Sequence, residues 1–331
     1  MYLKAFILTF LCFAVPLAIF AQKKQNVYFL KNNGKEVNIK DSADFIRVIS
    51  EPDSGETLFN IKEFYTNGKV KLISKTSKAD KKQLEGQAVS FFPNGKRQDV
   101  GTYKEGKKEG DFYEYYPNGL LYCVKEYTND LPPVGGNSVG NLRIRQYLIK
   151  SCNDSTGKPL LSDGEGHYIG YYPGFKKVFE EGEVKGGKRQ GVWSGNSEKD
   201  SLNPFNETYE SGKLISGTST DKEGKLYTYT VREINPEFEG GERAFGRFLS
   251  NNIRYPRDAK VNNIQGRVFV TFVIERDGSL TDIKTTKAPS ADLADESVRV
   301  LKLSPKWIPG YQYGKAVRVE YTVPINFSLA R

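Results

Sequence analysis

The sequence is poor in the residues that most enzymes use for chemistry. It contains one histidine, His167, and three cysteines among 331 residues. A single histidine excludes histidine-rich metal sites and leaves serine–histidine catalysis without support. No G-x-S-x-G nucleophile elbow occurs, and the glycine- and lysine-rich segment 186–191 lacks the spacing of a phosphate-binding loop. We therefore predict a protein that is not an enzyme and uses no metal or cofactor.

Long basic runs are also missing, although the formal net charge is +9. The lysines lie mainly in turn segments such as 104–109, where acidic residues are mixed with them. No basic helix is present, so the pattern does not favour a nucleic-acid partner.

Only one long hydrophobic run occurs, at the N-terminus. Residues 5–21 carry no charge and end with Ala18 and Ala21, the small residues that signal peptidase reads. We interpret residues 1–21 as a cleaved secretory signal peptide. An uncleaved anchor is the competing interpretation, since 17 residues are near the lower limit for spanning a bilayer. The expected location is the cell envelope, in the periplasm, or at the inner membrane if the segment is retained.

Two cysteines remain after the signal segment, Cys123 and Cys152. Exported proteins fold in an oxidising compartment, where these residues could form a disulfide or stay as two buried thiols. Sequence alone leaves both alternatives open.

The region 22–217 repeats a tyrosine–glycine pattern typical of strands and turns. Aromatic residues followed by Asn-Gly recur at 67–68, 94–95 and 118–119. Asn-Gly is expected to form type I′ hairpin turns, and neighbouring hairpins must stack to share a core. We predict a mainly β region of stacked hairpins. Its motifs resemble MORN-type repeats, specifically the variant found in bacterial exported proteins.

A polar stretch, 212–224, follows the repeats and is interpreted as a hinge. We assign 218–230 as a linker that includes a strand, and 231–331 as a separate C-terminal domain. In this domain a helical stripe (Ala244, Phe245, Phe248, Leu249) precedes a hairpin with an Asp-Gly turn, and 291–303 is a second helix. The stretch 317–327 alternates apolar and polar residues, which predicts one strand with one buried face. The expected fold is α+β: helix, β-hairpin, helix, strand.

The domain contains the motifs Tyr255-Pro256, Gly266-Arg267-Val268, Trp307-x-Pro309-Gly310, Gly314 and Val323-Pro324-Ile325-x-Phe327. Together these motifs resemble the C-terminal domain of TonB. The lead-in at 236–242 is similar to that of the Bacteroidetes branch. The resemblance implies that the last strand is a sheet edge to which an extended peptide adds as a further strand. The candidate partner-binding residues are Tyr255, Pro256, Val317, Arg318, Val319, Glu320, Tyr321, Thr322 and Val323.

The resemblance implies a partner, an outer-membrane TonB-dependent transporter whose N-terminal TonB box is the peptide. Two further family features are missing, because no histidine lies in the N-terminal segment and repeats replace the Pro/Lys-rich spacer. Contact with the ExbB/ExbD motor is therefore unsupported. Two hypotheses remain: a TonB-like transport protein that could transduce energy, or an exported repeat scaffold whose TonB-like domain only binds a peptide or partner domain.

Overall fold

The computed structural model describes residues 24–80, 82–128, 147–196 and 202–329. The expected signal segment lies outside these residues. In the part of the chain that is described, no helix has the length and apolar character needed to cross a membrane.

Within residues 25–229, the parts that the structure describes form 17 strands. They are β1 (Gln25–Leu30), β2 (Glu36–Val37), β3 (Phe45–Ser50), β4 (Phe59–Tyr65), β5 (Val70–Thr76), β6 (Leu84–Phe91), β7 (Arg97–Lys104), β8 (Lys107–Tyr115), β9 (Leu121–Tyr127), β10 (Tyr147–Asn153), β11 (Pro159–Ser162), β12 (Glu165–Tyr171), β13 (Val178–Lys185), β14 (Lys188–Asn196), β15 (Leu202–Glu210), β16 (Lys213–Asp221) and β17 (Leu226–Tyr229).

These strands form one antiparallel sheet. From β3 to β17 each strand pairs with the next along the chain, and β1 pairs with both β2 and β3. The stacked-hairpin, mainly β architecture predicted for the N-terminal region is confirmed.

The Asn-Gly turns are not of the predicted type. At the first of them only Gly68 has positive φ, +81°, and its N–H donates to the Tyr65 carbonyl. Asn67 instead uses its side chain, whose Oδ1 accepts from the Lys69 N–H at 3.0 Å. This is a type I turn with a glycine bulge, so the type I′ expectation was wrong here. Type I′ geometry occurs at other hairpin tips, such as Ser211–Gly212, where both residues have positive φ.

Glycines within the strands allow aromatic rings to lie across the neighbouring backbone. Gly182 faces Trp193, and Gly217 faces Tyr229, directly across the ladder. A Cβ at these glycines would lie 2.4 Å and 2.3 Å from the opposing rings. A single-layer sheet can bury its aromatic residues in this way, which explains the repeated tyrosine–glycine pattern.

The segment predicted as a hinge is part of the sheet. Residues 213–221 form β16, which pairs along its length with β15 and on its other side with β17. Its small inward residues, Gly217 and Ser219, leave room for aromatic rings from other segments. The hinge interpretation was therefore wrong.

Cys123 and Cys152 form a disulfide between β9 and β10. They are direct cross-strand partners with Cα atoms 4.1 Å apart, and both are fully buried. This resolves the alternatives left open by the sequence.

Replacing both cysteines by serine should lower the free energy of unfolding by about 3–4 kcal/mol, since the bond closes a loop of 29 residues. Urea unfolding of the wild type and of Cys123→Ser/Cys152→Ser measures the loss. Reducing the wild type should give a similar loss, and equal stability with and without reductant would contradict the expectation.

The C-terminal elements follow without a long connection. They are β18 (Glu233–Ile234), α1 (Gly241–Asn252), α2 (Arg257–Val261), β19 (Gly266–Ile274), β20 (Leu280–Lys287), α3 (Ala291–Lys302), β21 (Gly310–Gln312), β22 (Lys315–Val317) and β23 (Val319–Phe327). The predicted order of helix, hairpin, helix and strand is confirmed. The structure adds α2 and a small sheet in the order β18–β21–β22, which the sequence pattern did not indicate.

The core of this domain is its own. Every member of its buried cluster lies between Phe238 and Phe327, with Phe272, Trp307 and Ile325 among them. We therefore retain the domain boundary at 231 as a prediction.

A fragment of residues 231–331 should unfold in one cooperative transition, because its core needs no side chain from the repeats. Thermal unfolding followed by circular dichroism tests this. A disordered fragment, while the full chain is folded, would show that the boundary is misplaced.

The β21–β22 hairpin packs on the last strands of the repeat sheet. Its tip residue Tyr313 stacks on Phe205, with ring centroids 5.1 Å apart, and meets Tyr229 edge-on at 5.7 Å. The Ser219 hydroxyl donates to the Tyr313 carbonyl at 2.7 Å in a buried position. We call the contacts between this hairpin, Arg232 and the repeat sheet the junction.

Charged groups complete the junction. Lys315 pairs with Asp221 at 3.2 Å, and Asp221 also accepts from the Tyr227 hydroxyl at 2.9 Å. Burial raises the pKa of Asp221, but the hydrogen bonds from the Lys225 N–H, Tyr227 and Lys315 outweigh burial and lower the pKa to about 2. The carboxylate is therefore ionised at any physiological pH, and the ion pair persists.

Arg232 lies at the centre of a second set of ion pairs. Its Nε donates to both Glu207 oxygens, at 2.7 and 3.0 Å, and its Nη2 donates to Glu180 at 2.9 Å. Glu207 is 1% exposed and Glu180 is 3% exposed. A buried carboxylate is tolerated only when it is paired, so this one arginine stabilises the end of the repeat sheet.

Candidate functional site

The C-terminal sheet has the order β20–β19–β23, which places β23 at an edge. Within the described residues β23 pairs with β19 alone, in an unbroken register from Val319 opposite Ile274 to Phe327 opposite Gly266. An edge strand has backbone N–H and C=O groups available for a further strand.

The side chains of β23 alternate as the sequence predicted. Val323, Ile325 and Phe327 are buried in the domain core. Val319 and Tyr321 are half-buried, and the residues between these positions, Glu320, Thr322, Pro324 and Asn326, are exposed. The exposed residues can therefore contact a partner, and one of them, Thr322, also forms a 2.8 Å hydrogen bond with the buried Thr271 of β19.

Pro324 establishes which backbone groups point away from β19. It lies opposite Phe269 and has no N–H to donate. In an antiparallel pair, residues alternate between those that bond to the neighbouring strand and those that do not. The register has no bulge, and Glu320, Thr322 and Asn326 each lie an even number of residues from Pro324. They therefore share its parity, which means that their backbone groups point to the same side of the strand as those of Pro324. We infer that their N–H and C=O groups point to the open edge.

The predicted strand 317–327 is divided at Arg318. Val317 belongs to β22 and pairs with Gly310, so it lies in the small sheet. Arg318 forms two 2.7 Å hydrogen bonds to Glu275, at the turn of the β19–β20 hairpin. Its side chain thus fixes the start of β23 and is not directed freely outward, as the alternation had suggested.

Tyr255 and Pro256 lie at the other end of the edge strand. The Tyr255 ring meets Phe327 at 5.8 Å, and its hydroxyl donates to the Ile264 carbonyl at 2.6 Å. Pro256 precedes the first residue of α2, and its carbonyl accepts from the Lys260 N–H at 2.9 Å. The structure thus gives this pair a supporting role, and it does not bring them next to Val317–Val319.

A charged groove of about 490 Å³ adjoins Tyr255. Glu296 lies at its base, 9% exposed, where it accepts from the Arg254 N–H and from Arg299. Burial raises the Glu296 pKa, but the hydrogen bonds from Arg299 and Arg254 outweigh it and hold the pKa below its ordinary value. This pairing is intramolecular and joins α3 to the end of α1.

One residue of the edge was missed from the sequence, Asn326. Its parity and exposure match those of Glu320 and Thr322. The same alternation extended to Phe327, so continuing it two residues past Pro324 would have included Asn326.

A helix–hairpin–helix–strand domain with an open sheet edge is therefore the candidate binding module of the chain. Comparison with known proteins shows what this module is similar to: the model of the Gram-negative bacterial TonB protein C-terminal matches residues 251–329. Two curated relatives, both named Protein TonB and both from Helicobacter pylori, are similar to this chain. One is 33% identical over 82 residues, which are 24% of this chain and 27% of the relative. The other is 41% identical over 49 residues, 15% of this chain and 18% of the relative.

Two solved structures are also similar, both NMR solution structures of the Helicobacter pylori TonB C-terminal domain. One is 31% identical and covers 26% of this chain and 78% of that chain, with a TM-score of 0.21. The other is 29% identical and covers 25% and 90%, with a TM-score of 0.19. The chain spans about a quarter or less of the curated relatives that it matches. The family model and these relatives support the TonB C-terminal domain family for this part of the chain.

Proposed function

We propose that this chain is an exported, periplasmic TonB-like protein that binds an outer-membrane transporter by strand addition to the open edge of β23. The observation that carries the proposal is the open edge of β23, at which Glu320, Thr322 and Asn326 are inferred to direct their backbone groups away from β19. A transporter's N-terminal segment, extended and unpaired, is the partner that the family resemblance implies. Main-chain hydrogen bonds would supply the affinity.

The side chains beside this edge support a division of roles. Glu320 and Thr322 are exposed, so they are placed to select among partners. Val319 and Tyr321 are half-buried, and the Tyr321 ring lies 5.7 Å from the Trp307 ring, so Tyr321 joins the edge to the core. Strand addition would cover their remaining exposed surface.

Calorimetric titration of the full chain with a transporter N-terminal peptide from its own organism tests the proposal. The matched controls are the same peptide carrying N-methyl groups on alternate residues, in two sets. One set removes the N–H groups that face β23 and should abolish binding, whereas the other should bind nearly as well as the parent. Equal binding by both methylated peptides would exclude strand addition.

The second candidate function is a scaffold without energy transduction, and the junction favours it. Tyr313 and Lys315 join the TonB-like domain directly to the repeat sheet, so no flexible spacer separates the two. Here the MORN-type repeats would serve as a rigid interaction surface. In the transport function, the same rigid sheet would carry force from the membrane to β23.

The N-terminus of the protein in its native envelope distinguishes these functions. We expect the chain to begin at Gln22, after cleavage behind Ala21. A cleaved chain has no membrane segment in residues 1–21 through which to reach the ExbB/ExbD motor. N-terminal sequencing that finds Met1 or Tyr2 retained, in inner-membrane fractions, would contradict cleavage and favour energy transduction.

A further inference from the structure

The repeat sheet carries an apolar row on the face opposite its core. The row has one residue from each of seven neighbouring strands, and each residue is the direct cross-strand partner of the next. Its members are Val27, Val48, Lys62, Ile73, Val89, Val100 and Tyr113, and all of them except Lys62 are apolar. Their neighbours along the strands, such as Ile49, Ile61 and Leu72, are buried on the other face.

The apolar row is accessible to solvent. Val27 is 51% exposed, Ile73 41% and Tyr113 40%. Val48, Val89 and Val100 are half-buried by their neighbours. The row is therefore separate from the core, and its apolar character does not come from burial in the described part of this chain.

The second half of the same sheet provides an internal comparison. There the corresponding row on the same face runs through β13 to β17 and consists of Glu181, Ser194, Asn206, Thr218 and Thr228. These residues are polar although the strands and turns are of the same kind. The fold therefore does not require an apolar row at this position.

The surroundings of the apolar row resemble those of an interface. On one side a second apolar set widens it, since Phe29, Ile46 and Phe64 are in register and half-buried. On the other side Gln25 and Ser50 begin a polar margin. An apolar centre with a polar margin is the usual arrangement in protein–protein interfaces.

We propose that the apolar row is a face on which two copies of this chain pack. Seven strands about 4.8 Å apart make a surface about 34 Å long. If the contact is three residues wide along each strand, counting only residues on this face, the surface is about 20 Å wide and its area is about 700 Å² per copy. Two copies would bury about 1,400 Å², within the range of about 1,200–2,000 Å² for stable interfaces. A two-fold axis makes such a surface self-complementary.

The arrangement predicts which residues meet. Ile73 is the central member, so a two-fold axis through the row places Ile73 against its own counterpart in the second copy. Tyr113 then lies against Val27, and Val100 against Val48. Lys62 lies against Val89, so its methylene groups would pack in the interface while its ammonium group extends to the polar margin. This inference concerns a different face from β23 and does not depend on the proposed function.

Sedimentation velocity of the purified chain tests the proposal. The wild type should form a dimer at micromolar concentrations, and Ile73→Lys/Val100→Lys should raise the dissociation constant by roughly 100-fold. The matched control, Ser194→Lys/Thr218→Lys, changes the polar row of the same sheet and should leave the dimer intact. Under oxidation, Ile73→Cys should form a covalent dimer and Thr218→Cys should not.

Circular dichroism confirms that each variant is folded. If the double lysine variant fails to fold, Tyr113→Thr, which keeps a strand-forming residue, should still weaken the dimer. A monomeric wild type, including one whose row binds only another protein, would overturn the proposal. A dimer that the apolar-row variants leave unchanged, or that the control weakens equally, would do the same.

Discussion

Replacing Arg232 by alanine should lower the free energy of unfolding by about 3–5 kcal/mol, because it leaves carboxylates buried without their cation. Glu207 loses the guanidinium that contacts both of its oxygens, and Glu180 keeps only Arg189. Chemical denaturation of the full chain measures the loss. The same substitution in a Glu207→Gln background should cost less, since one of the stranded charges is then absent.

Arg318→Ala is the matched control for Arg232→Ala. Arg318 also makes a two-point ion pair, but its side chain is 54% exposed, so its loss should cost less than about 1 kcal/mol. Equal losses for the two arginines would contradict the account of the junction.

The contribution of the ion pairs around Arg232 to the free energy of unfolding should also depend on pH. Burial raises the pKa of Glu180, but Arg189 and Arg232 lower it more, so the folded-state pKa lies below the ordinary value. This contribution is fully present above the unfolded-state pKa and is lost as pH falls through the folded-state pKa. The difference in stability between wild type and Arg232→Ala should accordingly shrink in acid.

Proline at position 320 should block partner binding without unfolding the domain. The Glu320 N–H is inferred to face the open edge, and proline removes it while the neighbouring Val319 stays extended. An unpaired acceptor on the added strand should weaken binding of a transporter peptide by roughly 10- to 100-fold. Calorimetry measures this, and the melting temperature should change little because edge strands tolerate proline.

Two controls make the proline result specific. Glu320→Ala removes the side chain but keeps the N–H, so it should retain most of the affinity. Tyr321→Pro removes an N–H inferred to bond to β19, so it should destabilise the fold by about 3 kcal/mol or more. A folded Glu320→Pro variant that binds as tightly as wild type would show that the peptide docks elsewhere.

The elements of the C-terminal domain were predictable because their patterns are local. The alternation of 319–327 and the stripe of α1 follow from which residues reach the core. The division at Arg318 was not visible, because it depends on β22 pairing with β21 and on a carboxylate at Glu275. Both partners come from other parts of the chain, so alternation alone predicted one continuous strand.

The hinge interpretation failed for a related reason. The segment was interpreted as a flexible linker because it contains small and polar residues, which are frequent in loops. Among them are Gly217, Ser219 and Asp221. Their partners are Tyr229, Tyr313 and Lys315, and the last two lie 94 residues from their contacts. The residue pattern within one segment does not predict a contact with a residue so far along the chain.

The alternation of exposed and buried side chains in the candidate site was predictable, but the direction of its backbone groups and its extent were not. The exposed positions Glu320 and Thr322 follow from alternation, whereas the supporting roles of Tyr255 and Arg318 required their contacts with Phe327 and Glu275. The resemblance identified the edge strand as a whole. It did not separate residues that present the edge from residues that hold it in place.

Residue-resolved hydrogen exchange of the full chain, with and without a transporter N-terminal peptide, tests strand addition most directly. The amides of Glu320, Thr322 and Asn326 are inferred to face the open edge, so bound peptide should slow their exchange by about 10-fold or more, as far as the peptide extends. Tyr321 and Val323, whose amides are inferred to bond to β19, should change little. Tight binding that leaves all three edge amides exchanging at their unbound rates would contradict the account.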